Sequence, residues 1–261
     1  MVLRKLLTML PLKKCIKAIL ISVAKKTNIY PENLYHKKKI SYNSIDINYA
    51  PSNDVTRRRW LEFERSGKEQ NTIDWINSFN DHEVFFDIGA NVGVFSLYSG
   101  LKHKIKVYAF EPEVNSFIDL IKTIELNNCN NITPLLIALN NIRSTEYFNY
   151  QSEFRSGFSS HNFGEKIQDK TSYLMCGDNI DNLISTKTIL EPNHIKIDID
   201  GNEKKVLHGM QKTLKLKSMK SVLIEVNDEE RDYFYNYFLA SGYKLTGRPT
   251  GKNRNYIYTK N

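Results

Sequence analysis

The sequence predicts an α/β protein with a doubly wound, mostly parallel sheet. Three observations carry that expectation. Short apolar runs of β type alternate with segments of helical period from residue 72 onward. The first well-marked run, Val84-Phe85-Phe86-Asp87-Ile88, passes straight into the turn Gly89-Ala90-Asn91-Val92-Gly93 and a new apolar segment. Acids close several of the runs: Asp87, Glu111, Asp198 and Asp200. In open α/β sheets ligands bind beyond the carboxyl ends of the strands, where these acids would stand.

Residues 41–67 read as connecting structure, rich in tyrosine and polar groups, with the cluster Arg57-Arg58-Arg59-Trp60. Residues 72–79 read as a short helix before the first strand. After the glycine turn, Lys106-Val107-Tyr108-Ala109-Phe110 reads as a second strand, closed by Glu111-Pro112. Residues 115–126 form a helix, with Phe117, Leu120, Ile121 and Ile124 on one face. Residues 132–139 are almost wholly apolar and read as a third strand buried on both faces. Residues 146–150 are expected as an edge strand. Residues 151–172 lose apolar periodicity, and a polar, glycine-bearing excursion of this kind is where substrate loops sit. Then His194-Ile195-Lys196-Ile197-Asp198-Ile199-Asp200 reads as a strand ending in acids, followed by a helix over residues 203–216. Residues 221–226 form another strand with Glu225 near its end. A helix over residues 228–240 and strands near Tyr243 and Tyr256 close the chain.

The turn and the second strand tip point to a nucleotide-type ligand. Glycines permit positive φ and let a ligand lie against bare backbone. The amides opening the next helix can donate to that ligand. An acid at the tip of the second strand is where such folds hold ribose hydroxyls, and two carboxylate oxygens can accept both of them. A dinucleotide and S-adenosylmethionine both suit this pair. The dinucleotide pattern GxGxxG wants glycine where this chain has Asn91, because a pyrophosphate presses on the backbone there. S-adenosylmethionine carries no phosphate and meets no such objection.

The chain has 261 residues and a net charge of +8. Residues 1–40 hold ten basic residues and one acid, so the remainder is close to neutral at −1. A near-neutral body argues against nucleic acid as a partner. In the leader, Leu12, Cys15, Ile16, Ile19, Leu20 and Val23 recur at helical spacing, with lysines mostly elsewhere on the wheel. Its longest uncharged run, residues 18–24, is far short of the ~20 residues needed to span a bilayer. Residues 1–30 are therefore expected to lie on an anionic membrane face, or else to pack on the protein's own core. Nothing in them marks a signal peptide. Three cysteines, Cys15, Cys129 and Cys176, form no CxxC pair. A reducing compartment follows, with the protein cytoplasmic and peripheral on the inner face of the membrane.

Three blocks resemble the FkbM-like family of S-adenosylmethionine-dependent methyltransferases. They are Phe86-Asp87-Ile88-Gly89-Ala90-Asn91-Val92-Gly93, Ala109-Phe110-Glu111-Pro112, and the stretch from Ile195 through Asp198, Asp200 and Glu203 to Val206-Leu207-His208-Gly209. The family pattern of the last block is KIDVEGxE followed by VLxGA; here Asp200 replaces the usual Glu and Met210 the usual Ala. The resemblance spans roughly residues 80–245. It implies a Rossmann-like class I methyltransferase fold, with residues 68–261 as the catalytic domain and residues 1–67 as a basic helical extension and connecting segment. It implies transfer of a methyl group to a hydroxyl, often of a sugar in a surface glycan. Asp87, Gly89, Ala90, Asn91, Gly93, Glu111 and Pro112 then look like the donor site. Asp198, Asp200 and Glu203 look like the acidic block facing the transferred methyl.

Asp198 and Asp200 share a face if the strand runs that far. Two adjacent carboxylates can raise one pKa and make a base, or hold a divalent cation through oxygen ligands. Alternatively, Asp200 caps the following helix with Glu203 as its capping-box partner, and Lys196 neutralises the acids. His161 and His194 are rival bases. Two other classes stand beside methyl transfer: an NAD(P)-dependent oxidoreductase of Rossmann type, and a non-catalytic membrane-associated adaptor.

Overall fold

The computed structural model describes residues 37–65, 69–150, 156–157, 161–199, 201–249 and 254–261. The basic leader, Asp200, and residues 151–155 and 158–160 of the polar loop lie outside these residues. Among the described residues no helix is long and apolar enough to cross a membrane.

Residues 38–261 form one compact unit. It opens with a hairpin of β1 (Lys38–Tyr42) and β2 (Ile45–Tyr49), turned by Asn43 and Ser44, both at positive φ. Then come α1 (Asp54–Arg65) and α2 (Gln70–Asn77). Tyr49 stacks on the fully buried Trp60 of α1, and Ile40, Ile47 and Phe63 join the same apolar cluster as Phe85, Val107 and Leu97. The described part of residues 41–67, which read in the sequence as connecting structure, thus packs as part of the core.

The alternation of strands and helices then runs as expected: β3 (Val84–Ile88), α3 (Val94–Lys102), β4 (Lys106–Phe110) and α4 (Val114–Leu126). The run over residues 132–139 does not form one strand. It splits into β5 (Ile132–Leu135) and β6 (Ala138–Leu139), with Leu136 44% exposed between them. Pro134 explains part of this. It lacks an N–H, and among the described residues β5 is an edge strand that pairs only with β4.

From β6 the chain leaves the main sheet and builds a second one with β7 (Ser144–Asn149), β8 (Asn162–Gly164) and β9 (Ser172–Asp178), in the order β6-β9-β7-β8. β7 is internal to that sheet, not an edge. A short helix, α5 (Ile180–Ser185), leads to β10 (His194–Ile197). The helix expected over residues 203–216 is α6 (Glu203–His208) followed by a 3₁₀ turn at Thr213–Lys215. Gly209 packs so closely that a Cβ there would lie 2.2 Å from the Asn140 carbonyl oxygen. The chain ends with β11 (Ser221–Glu225), a 3₁₀ turn at Asp228–Glu230, α7 (Arg231–Ala240), β12 (Tyr243–Gly247) and β13 (Asn255–Lys260).

Among the described residues the main sheet has the order β12-β13-β11-β10-β3-β4-β5. The five strands from β11 to β5 are parallel, and β13 is antiparallel to both its neighbours. Successive residues of each central strand feed opposite faces: Phe86 and Tyr108 join one apolar cluster, Phe85 and Val107 the other. Strand order reverses between β3 and β10. That switch point is where an α/β sheet opens a crevice at its carboxyl edge.

Candidate active site

A cleft opens at this switch point. Its walls include Gly89 and Asn91 after β3, Glu111 and Pro112 after β4, and Asp198 after β10. The second sheet supplies the facing wall through Phe148, His161 and Phe163.

The glycine turn owes its shape to the protein rather than to bare access. Gly89 has φ +79°, and a Cβ there would stand 1.8 Å from the Asp198 carbonyl oxygen. Gly93 has φ +87°, and its Cβ would press on Leu120 at 2.3 Å. The amides of the turn are largely used at home. Gly89 and Ala90 donate to the Phe110 carbonyl at 3.0 Å each, and Gly93 donates to Ala90 at 2.8 Å. Val92 donates to the Asn91 side chain at 2.9 Å. Ala90 is buried in the core, and Asn91 holds a left-handed φ of 51°.

Glu111 does not cap the next helix. Glu113 does so, accepting the N–H groups of Asn115 at 2.9 Å and Ser116 at 2.7 Å. Glu111 turns to the cleft instead. One carboxylate oxygen accepts Asn91 N–H at 2.7 Å and the other accepts Glu113 N–H at 2.8 Å. Burial pushes its carboxyl up to about 8, against the pull of those two N–H groups. Tyr150 donates to Glu113 at 2.7 Å and Tyr173 to the Pro112 carbonyl at 2.9 Å, so the second sheet braces the strand tip.

Behind the Asp198 wall of the cleft runs a chain of charged side chains. Asp87 and Lys196 face each other across β3 and β10 and are each about 1% exposed. Lys196 Nζ donates to Asp198 Oδ2 at 2.8 Å and stands 3.9 Å from Asp87 Oδ1. It also lies 5.0 Å from the Phe95 ring centroid. Ser96 donates its hydroxyl to Asp87 Oδ2 at 2.5 Å, tying the acid to the first turn of α3. Burial raises the Asp87 carboxyl, and Lys196 and Ser96 oppose it. The Lys196 amine is raised: burial opposes its charge, and Asp198 and Asp87 outweigh burial.

Asp198 has a second partner. Its carboxyl is electrostatically coupled to that of Glu225, at the end of the neighbouring parallel strand β11. Two carboxyls that couple in this way can share a proton. Burial disfavours charge on both, but Lys196 and Glu225 hold Asp198 low. Burial and the Asp198 charge push Glu225 up to about 7. Arg254 donates to Glu225 Oε1 from Nε at 3.2 Å and from a terminal nitrogen at 3.0 Å.

The remaining sequence candidates separate. β10 ends at Ile197, so the strand does not run far enough to alternate Asp198 and Asp200 along it. Glu203 is buried and both its oxygens lie 3.0 Å from Gly201 N–H, as at a helix start, with Asn202 as the N-cap. Glu203 does not line the cleft. His194 stands at the opposite end of the sheet, stacked on Phe79 at 3.8 Å and bonded to Ser221 and Glu83. It is no candidate base. His161 does face the cleft, packed against Tyr150 at 4.9 Å between ring centroids. Among the described residues no group of three or more His, Cys, Asp or Glu side chains is placed to hold a metal ion.

Sequence reasoning missed Glu225 and Arg254 as site residues. A signal existed for the first, an acid at a strand end like the others. Its adjacency to Asp198 needed the strand order.

Residues 87–245 match the family pattern of the methyltransferase FkbM domain. The chain belongs to the FkbM methyltransferase family. It is similar to the hexuronic acid methyltransferase AglP of Haloferax volcanii, 25% identical over 152 residues, which cover 58% of this chain and 59% of that protein. Its fold is similar to a solved FkbM methyltransferase from Methylobacillus flagellatus, with a TM-score of 0.54 and 19% identity over 78% of this chain and 52% of that one. The chain thus spans somewhat more than half the length of these relatives. The FkbM match runs from Asp87 at the glycine turn to β12, and so takes in both the cleft and the second sheet.

Proposed function

We propose that this chain transfers a methyl group from S-adenosylmethionine to a hydroxyl oxygen of a carbohydrate, in a glycan or related glycoconjugate. The observation that carries the reading is that Glu111 and Asp198 face one cleft from the two sides of the switch point, in a chain of this family. AglP, named for a hexuronic acid, supports a sugar acceptor.

The residues divide the work. Glu111 holds the donor ribose through its two oxygens, each of which keeps a lone pair beyond its backbone partner. Gly89 and Asn91 shape the wall beside it, and Asp87 sets that wall through Ser96. The donor supplies a sulfonium, which departs as a neutral thioether. Asp198 accepts the acceptor's hydroxyl proton while the oxygen bonds to the methyl carbon and the carbon–sulfur bond breaks. Glu225 shares that proton, and Lys196 fixes the Asp198 carboxylate in place. Alignment of donor and acceptor supplies on the order of 7–11 kcal/mol, and a positioned base typically adds roughly 10²–10⁴-fold.

Isothermal titration of the full chain with S-adenosylmethionine and with NAD tests the reading. Binding of the first and not the second is expected. The reverse outcome restores the oxidoreductase. The leader is proposed to touch an anionic membrane from the cytoplasmic side. Vesicle flotation with and without residues 1–30 checks that point.

A further inference from the structure

Tyr150 follows β7 directly, is 1% exposed, and serves both walls of the cleft. Its ring packs against His161 at 4.9 Å and Phe148 at 5.6 Å between centroids, and both of those side chains line the cleft. Its hydroxyl donates to Glu113 Oε1 at 2.7 Å. Glu113 in turn donates its N–H to Glu111 Oε1 at 2.8 Å. One residue and two hydrogen bonds thus join the second sheet to the carboxylate assigned to the donor ribose.

Glu113, Ser116 and Asp119 recur at intervals of three, share one face of α4, and are all buried. The chain beyond Tyr150 is fastened along that face. Ser116 accepts Gly157 N–H at 3.0 Å, and Asp119 accepts the Ser156 hydroxyl at 2.8 Å. Tyr173 of β9 holds the Pro112 carbonyl at 2.9 Å. These contacts keep the second sheet on α4 without help from the Tyr150 hydroxyl. What that hydroxyl alone among them does is donate to a carboxylate whose charge bears on Glu111. Burial first, and Glu113 after it, hold the Tyr150 hydroxyl well above its ordinary value, so it stays a donor around neutral pH.

We infer that Tyr150 is a positioning residue of the donor site, acting on Glu111 through Glu113, so that the second sheet takes part in binding S-adenosylmethionine. This rests on the methyl-transfer reading and deepens it. The argument is electrostatic. Glu113 at the head of α4 and Asp87 on β3 both press their charge on Glu111. Tyr173 of β9 stands near it, and Asp198 and His161 line the same cleft. The N–H groups of Asn91 and Glu113 oppose that pressure. Ribose hydroxyls donate to the ionised carboxylate. A hydroxyl on Glu113 draws its charge away from Glu111 and eases that ionisation. Without it the repulsion grows, and a smaller fraction of Glu111 is ready for the ribose.

The test titrates the full chain with S-adenosylhomocysteine from about pH 6.5 to about pH 9.5, a span that brackets a carboxyl raised to about 8. Wild type and variants are compared at each pH, so that the ligand's own titration cancels. Tyr150→Phe keeps the ring against His161. Near pH 7 it should bind roughly 3–10-fold more weakly than wild type, with the difference vanishing above about pH 9 where Glu111 is ionised in both. Glu113→Gln removes the repelling charge and should do the opposite, binding more tightly near neutral pH and converging at high pH. It also supplies the reading if Tyr150→Phe fails to fold. A loss of the same size at every pH reduces Tyr150 to a structural brace and overturns the inference. So do profiles that coincide with wild type in both variants. If the wild-type chain does not bind S-adenosylhomocysteine at any pH, the methyl-transfer reading itself has failed.

Discussion

Lys196 donates to Asp198 at 2.8 Å from beneath the cleft, and its own side chain is 1% exposed. A buried ammonium is tolerated only when it is paired, and the pair here is also the wall of the candidate site. Lys196→Met should therefore act twice. It removes the cation that holds Asp198 ionised, and it leaves two acids without their counter-charge. Breaking such a buried pair costs about 3–5 kcal/mol. Urea denaturation reads this directly, and a loss well under 1 kcal/mol would show that water reaches the site and screens it.

Asp198→Asn should lower turnover by roughly 10²–10⁴. It should also lower the melting temperature, because Lys196 loses its hydrogen-bonded carboxylate. Release of S-adenosylhomocysteine measures the first effect and calorimetry the second. Full turnover in the variant moves the base elsewhere, with His161 next in line because it faces the same cleft.

Glu225→Gln tests the shared proton. The pair gains a proton as pH falls through about 7, the value to which burial and Asp198 push Glu225. Turnover in the wild type should rise with pH through that value and level off above it. Without Glu225, Lys196 alone keeps Asp198 ionised to lower pH, so the acid limb should shift down. A profile that does not move dissociates Glu225 from the chemistry.

Donor affinity should depend on pH through Glu111. Ribose hydroxyls donate to the ionised carboxylate, and burial raises this group to about 8 in the free protein. Affinity should therefore rise as pH rises toward about 8, with release of a proton on binding. Glu111→Gln should abolish that release and weaken binding by about 1.5–3 kcal/mol per lost bond. Titration in buffers of differing ionisation heat separates the proton from the binding.

Stability should fall in mild acid because of His194, far from the cleft. Burial holds its imidazole down to about 4, against the pull of Glu83. The unfolded chain binds a proton there below about 6.5, so folding loses stability as pH falls from about 6.5 to about 4. The full effect is on the order of 3 kcal/mol. Melting temperatures across that range, compared with His194→Gln, should show a flatter dependence in the variant.

Much of this protein was fixed by its sequence. The run ending at Asp87, the turn to Gly93 and the tip at Glu111 could be read locally, because strand periodicity, glycine and an acid at a strand end are short-range signals. The same holds for the order of strands and helices and for the family. Local pattern failed where a segment's fate depends on its neighbours. Residues 132–139 look like one strand, yet only the sheet edge decided that Pro134 is tolerated and that Ala138 leaves for a second sheet. Gly89 looks like ligand access, yet its lack of Cβ is required by the Asp198 carbonyl, 109 positions later in the chain. Tertiary structure alone placed Glu225 beside Asp198 and Arg254 on Glu225. Those pairings join the end of β10 to β11 and to the residue that precedes β13. No sequence spacing records them, because they arise from which elements pack side by side.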